Sequence, residues 1–267
     1  MKYKTMTKRA MFCLSMTSLL ATACTGDADK TVSFSTVTAE RSMTISNDND
    51  APSCNVHIEL ACAKESDGKQ AKIINATLAK QLLGMEGISL QQAADSFANT
   101  YVREYRKNFA PLYREDRNDP EKRAWYMYRY LLSGEAASGR KGITVYRATI
   151  DYYEGGAHGI NQQLVFNFDN KTGQLLTLSD IFVPGFEQAL ADKLLSCLLE
   201  QTDSKDIDDL RNKGYLYSMD MFAPENFELG DAGITFIYNP YEIAPYAMGK
   251  TELELSYDDL KNILKET

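Results

Sequence analysis

The sequence predicts an α+β fold in which antiparallel hairpins pack against helices in two closely associated subdomains. Apolar residues alternate with period two in several short runs joined by Gly-containing turns, the pattern of half-buried strands in hairpins. Other stretches carry apolar residues at three- and four-residue spacing behind capping signals, the pattern of amphipathic helices. The hairpins come in runs interrupted by helices rather than in strand–helix alternation, which argues against a doubly wound parallel sheet.

The elements follow in order. Cys54, Val56, Ile58, Leu60 and Cys62 share one face of a strand, with His57 and Glu59 on the other. Ile74, Leu78 and Leu82 mark a helix that stops before Gly84. Ser89 with Gln92 forms a capping box for a second helix, whose apolar stripe is Leu90, Ala94, Phe97, Tyr101 and Tyr105. Leu112 to Arg123, with Asp119-Pro120, reads as a solvated charged loop. Period two then takes over: Tyr126, Tyr128, Tyr130 and Leu132 lead through the turn at Ser138–Gly142 into Ile143–Tyr153. A second hairpin joins Gln163–Phe168 to Gln174–Leu178. Pro184 opens a helix with Phe186, Leu190, Leu194 and Leu198 on one face. A hairpin centred on Gly230–Gly233 leads into Ile234, Phe236 and Tyr238, and Thr251–Leu255 is a last strand. Ser256 with Asp259 caps a final helix through Leu260, Ile263 and Leu264. On this reading residues 51–160 form an N-terminal part and residues 161–267 a C-terminal part.

The chain carries 29 Lys and Arg against 37 Asp and Glu, a net charge of -8. Residues 1–23 hold four of the cations (Lys2, Lys4, Lys8, Arg9) and no anion, so without them the balance is 25 against 37, or -12. Such an acidic chain excludes nucleic acid as a partner. Two histidines, His57 and His158, rule out a His-rich metal site, and neither a metal nor a cofactor is expected. The uncharged run Ala10–Ala23 is too short for a bilayer, which takes about 20 residues, and reads as the core of a signal peptide spanning residues 1–23. Leu20-Ala21-Thr22-Ala23-Cys24 resembles a bacterial lipobox, with Cys24 as the lipidated residue. The address this implies is exported and lipid-anchored to a bacterial envelope membrane, the outer membrane among the candidates, on its periplasmic or surface face. Residues 24–50 are polar and read as a lipidated flexible tether. Cys54 and Cys62 are eight apart on one strand, roughly 26 Å at 3.3 Å per residue, too far for a disulfide. That leaves free thiols, or a bridge from one of them to Cys197.

Three ordered segments carry a family likeness. Tyr152-Tyr153-Glu154-Gly155-Gly156-Ala157-His158-Gly159 precedes Phe166-Asn167-Phe168-Asp169, Lys171-Thr172-Gly173 and Leu178-Ser179-Asp180-Ile181-Phe182. Near the C-terminus stand Ile234 to Tyr246, a run that includes Asn239-Pro240-Tyr241-Glu242, and then Gly249. This order resembles the extracellular domain of unknown function found in the anti-sigma factor RsiV and beside the catalytic domain of the peptidoglycan deacetylase PdaC. The resemblance spans roughly residues 51–264. It implies a ligand-binding or sensing domain, since in RsiV that domain binds lysozyme outside the cell. Here it implies the binding module alone, on a lipid, with a cell-envelope ligand or a cationic secreted protein such as lysozyme as partner.

The sequence offers two kinds of site. Tyr241 and Tyr246, in a loop rich in aromatics and prolines, can present rings to a sugar or a protein, and His158 in its glycine-rich bend is a third ligand-binding candidate. The alternative is an envelope hydrolase in which His158 is a general base oriented by Asp151 or Glu154. No nucleophile motif accompanies that histidine, so the reading as a non-catalytic binder leads, with His158 bonded to the backbone of a tight bend. His57, beside Glu59, reads as a surface or strand-pairing histidine rather than a metal ligand.

Overall fold

The computed structural model describes residues 32–266. The expected signal peptide, Cys24 and the start of the expected tether lie outside the described residues.

The expected tether is corrected in part. Phe34–Thr44 is a strand, β1, paired antiparallel with β2 (Ser53–Ala63) along its whole length, from Phe34 opposite Ala63 to Thr44 opposite Ser53. Its inward positions are Val37, Ala39, Arg41 and Met43, so its apolar alternation is weak. Arg41 is held there by a helix: its Nη2 lies 3.0 Å from Asp95 Oδ1, and its Nε donates to Asn99 Oδ1 at 2.6 Å. An inward-facing charge is one way an edge strand avoids pairing with other chains.

Helix α1 (Lys69–Leu83) ends at Gly84, and α2 (Leu90–Asp116) begins with the Ser89–Gln92 capping box. Both lie across one face of the sheet. Val56, Ile58 and Leu60 from β2 meet Ile74 and Leu78 from α1 and Leu90, Ala94, Ala98 and Val102 from α2, all buried. The alanines let α2 approach β1 and β2 closely. α2 also overruns its expected end, because the stripe continues as Phe109 and Tyr113. Tyr113 is buried against Tyr126 with ring centroids 5.3 Å apart, and that packing carries the helix past Pro111. What remains of the expected Leu112–Arg123 loop leads into a 3-10 turn at Pro120–Tyr126.

After this crossover β3 (Tyr128–Ser138) lies parallel to β2, with Cys54 opposite Tyr128. The sheet is therefore not wholly antiparallel, since two helices between strands supply the long connection that parallel pairing needs. β4 (Ile143–Glu154), β5 (Ile160–Asp169) and the short β6 (Leu175–Leu176) continue it antiparallel, giving the order β1-β2-β3-β4-β5-β6. β4 and β5 pair from Ile143 opposite Asp169 to Tyr152 opposite Ile160, so a boundary at residue 160 would cut a hairpin. The first core ends with this sheet, and a second begins at Leu178.

That second core is built from α3 (Leu178–Ile181), α4 (Glu187–Gln201), α5 (Ile207–Asn212) and the antiparallel sheet β7 (Phe227–Leu229), β8 (Gly233–Tyr238) and β9 (Thr251–Ser256). Leu190, Leu194 and Leu198 of α4 are fully buried with Phe227, Phe236 and Leu253. The expected last helix is a single turn, α6 (Tyr257–Leu260), after which Leu264 bridges to Phe182.

Three asparagines tie the lobes together. β6 covers only the far end of β5, so the rest of that edge needs other hydrogen-bond partners. Asn226 Oδ1 accepts from Val165 N–H at 2.8 Å, and its amide donates to the Gln163 carbonyl at 2.8 Å. Asn239 Oδ1 accepts from Gln163 N–H at 2.8 Å. Asn167 reaches the other way, donating to the Phe227 carbonyl at 2.7 Å and accepting from Leu229 N–H at 2.9 Å. Side-chain amides thus do the work of a missing strand.

Candidate functional site

Two loops from different sheets meet beside this joint. The first is the β4–β5 turn, Gly155–Gly159. Gly155 (φ +79°) and Gly156 (φ +96°) adopt backbone angles that side-chain-bearing residues rarely take, and a Cβ on Gly155 would run into the Trp125 carbonyl oxygen. The turn projects His158 into solvent. His158 Nδ1 lies 3.0 Å from the Gly159 carbonyl, an acceptor, so in the neutral ring Nδ1 carries the proton and Nε2 is free to accept.

The second loop follows β8. Tyr246 stacks on His158 with centroids 4.0 Å apart and planes 12° apart, and Tyr241 stacks on Tyr246 at 5.8 Å. The Tyr241 hydroxyl lies 3.3 Å from His158 Nε2. The structure therefore brings together the three ligand-binding candidates, His158, Tyr241 and Tyr246. Beside them a shallow cavity of about 350 Å³ is lined by Asn161, Asn239, Pro240, Tyr246, Met248 and Lys250.

Glu242 closes the loop by accepting from Asn239 N–H at 2.7 Å. Burial holds its carboxyl above the usual carboxylate value of 4.5, while the bond from Asn239 opposes that shift. A raised folded pKa means that Glu242's contribution to stability is full below the unfolded value and is lost as pH rises through the folded one. Glu242→Gln is therefore expected to raise the melting temperature at pH 7, with the gain shrinking as pH is lowered toward the ordinary carboxylate value. A variant less stable than wild type at pH 7 would contradict this.

Sequence reasoning missed a third segment, Tyr215–Phe222. It is joined to the second loop by Leu216 N–H donating to the Ile243 carbonyl at 2.8 Å. Tyr217 is 82% exposed, and Met219 and Phe222 are exposed as well. Non-glycine residues with positive φ among those described are Asp203, Leu216, Ser218 and Tyr241, so three of the four sit in these two loops. Backbone held in such angles costs free energy and collects at functional surfaces. The signal that could have found the segment is its run of Tyr, Met and Phe without strand or helix period.

The hydrolase constellation is not assembled. Asp151 pairs with Arg129 at 2.7 Å, and Glu154 accepts from the Tyr101 hydroxyl at 2.5 Å on the helix side of the sheet. His158 meets only the Gly159 carbonyl and the two tyrosines, so among the described residues no carboxylate lies within hydrogen-bond reach of it. His158 is bonded to the backbone but exposed rather than buried. His57 sits elsewhere, opposite Glu40 in the β1–β2 register, with Nδ1 2.8 Å from Glu40 Oε1 and Nε2 3.8 Å from Glu59 Oε2. Cys54, Cys62 and Cys197 are free thiols, so no bridge to Cys197 forms. Cys54 is fully buried, and burial pushes its thiol up to about 12, aided by the Glu154 charge.

Comparison with known proteins places the chain. The DUF3298 family profile, described as a protein of unknown function, matches residues 179–258, which is most of the C-terminal lobe. The crystal structure of a DUF3298 family member from Bacteroides fragilis covers 88% of this chain and 94% of its own, with a TM-score of 0.81 and 31% identity. A DUF3298 family protein from Pseudomonas aeruginosa covers 87% and 95%, with a TM-score of 0.58 and 19% identity, and shares the fold. No curated protein matches. With nearly a third of its residues identical to the Bacteroides fragilis protein over almost the whole of both chains, this chain belongs to the DUF3298 family.

Proposed function

We propose that the protein is a cell-envelope lipoprotein, anchored through Cys24, whose RsiV-like domain binds a ligand without transforming it. One observation carries the binding reading: rings from two sheets, His158, Tyr246 and Tyr241, stack into one exposed surface flanked by strained loops bearing Tyr217 and Met219. Rigid aromatics with a polar tip give large contact area at low entropic cost, as at interaction hot spots. A cationic secreted protein such as lysozyme is the favoured partner. The net charge of -12 without residues 1–23 would speed its approach and make binding fall with salt. A glycan of the envelope is the other ligand that stacked tyrosines suit.

The test immobilises the purified protein against lysozyme, other basic secreted proteins and envelope glycan fragments. Tyr246→Ala is expected to weaken the captured partner by at least about tenfold, and by more than His158→Ala, because Tyr246 lies at the centre of the stack. Unchanged binding by a folded Tyr246→Ala variant would overturn the site. The anchor has its own test: wild type partitions into detergent while Cys24→Ser does not, and equal partitioning of the two would remove the lipoprotein reading.

A further inference from the structure

Glu154 belongs to a different surface from the one just described. It ends β4 on the inward face, opposite Tyr128, and points toward α2. There it borders an open cleft of about 400 Å³ walled by the rings of Phe97, Tyr101, Tyr105, Phe109 and Tyr128. The rings form two sets. Tyr105, Phe109 and Tyr128 have centroids 5.0 to 6.1 Å apart, and Phe97 and Tyr101 pack with Tyr130 at 5.0 and 5.1 Å. Glu104 stands at the rim.

We propose that this cleft is a binding site for a small organic ammonium ion, its cationic head seated against the ring faces and the Glu154 carboxylate. Three features favour that occupant. Aromatic faces carry negative potential and attract ammonium groups within about 6 Å, most strongly where water is excluded. No Lys or Arg lines the cleft, and among the described residues none pairs with Glu154, whereas Glu104 is already engaged by Lys107 at 3.2 Å. Burial, with the adjoining carboxylate, pushes the Tyr101 hydroxyl's pKa up, and that hydroxyl donates to Glu154. The volume suits a small molecule rather than a helix or a strand. The carboxylate accepts from the Tyr101 hydroxyl, a bond that brings it no positive charge. Here that carboxylate lacks a protein cation, which an ammonium ligand would supply.

The experiment titrates the purified protein with choline, tetramethylammonium and cadaverine, read by saturation transfer to the ligand resonances and by calorimetry. Saturable binding in the millimolar range or tighter is expected for at least one of them. Dimethylbutanol, the uncharged carbon isostere of choline, is expected to bind at least about tenfold more weakly than choline. Glu154→Gln and Phe109→Leu, each checked for fold by circular dichroism, are expected to weaken the cation by a similar factor. Tyr246→Ala is expected to leave it unchanged, which separates this site from the aromatic loop surface. Absence of saturable binding by all three cations, equal binding of the isostere, or wild-type affinity in folded Glu154→Gln and Phe109→Leu would each overturn the proposal.

Discussion

Replacing Asn167 with alanine is expected to destabilise the protein by about 2 to 6 kcal/mol, because each of two buried backbone groups left without a partner costs about 1 to 3 kcal/mol. The two groups are the Phe227 carbonyl and the Leu229 N–H, on the outer edge of β7, and Asn167 itself is 1% exposed. Denaturant unfolding measures the loss as a shift in midpoint. Asn167→Asp separates hydrogen bonding from side-chain volume. Its carboxylate keeps the bond from Leu229 N–H but turns its second oxygen toward the Phe227 carbonyl, a repulsion that protonation converts into a donated bond. The folded pKa of that aspartate should thus be raised, its stabilising contribution present below about 3.9 and lost as pH rises through the folded value. An Asn167→Ala variant within about 0.5 kcal/mol of wild type would show that the lobes do not depend on this tie.

Gly155→Ala should be the most damaging change in the exposed turn, while the same change one residue later should be mild. Both glycines have positive φ, where alanine costs about 1 to 2 kcal/mol. Only at Gly155 does the new methyl also meet backbone, at the Trp125 carbonyl; at Gly156 nothing lies within 4 Å. Overlap with atoms that cannot move aside adds about 1 to 3 kcal/mol, for a total of about 2 to 5 kcal/mol at Gly155. The turn carries His158, so Gly155→Ala should also disturb the stack on Tyr246, visible as a change in the tyrosine and histidine ring resonances. Equal costs at the two positions would mean that the turn relaxes freely and that Trp125 does not hold it.

The hydrolase reading and the proposed cation cleft share Glu154, and the geometry takes it out of reach of His158. Residues 151 and 154 lie close to His158 in sequence, but a strand sends alternate side chains to opposite faces. Glu154 therefore points to the helices while His158 leaves by the turn. Sequence proximity suggested a catalytic group that the pleat takes apart.

Much of this fold could be read from local pattern. The β2 alternation from Cys54 to Leu60, the stop of α1 at Gly84, the capping boxes at Ser89 and Ser256, and the three hairpins all stand where periodicity and turn residues put them. The aromatic loop was also legible as a candidate, because Tyr241 and Tyr246 crowd into a stretch with neither period. The proposed lipid address rests on residues 1–24 alone. Other features became visible only in the folded chain. β1 was hidden because its inward face carries Ala39 and Arg41, whose place is set by β2 on one side and by Asp95 and Asn99 on the other. The parallel β2–β3 pairing, the asparagine ties and the meeting of His158 with Tyr246 join residues 60 to 88 positions apart. Periodicity and capping act over about a turn or two of chain, so the sequence by itself determined the helices, strands and turns whose local pattern is strong, but not β1, the end of α2 or the shortness of α6. Which strand lies beside which, and which loops share a surface, was decided by the tertiary structure. Those choices follow from satisfying every buried edge and covering every apolar face at once, a condition that no local stretch contains.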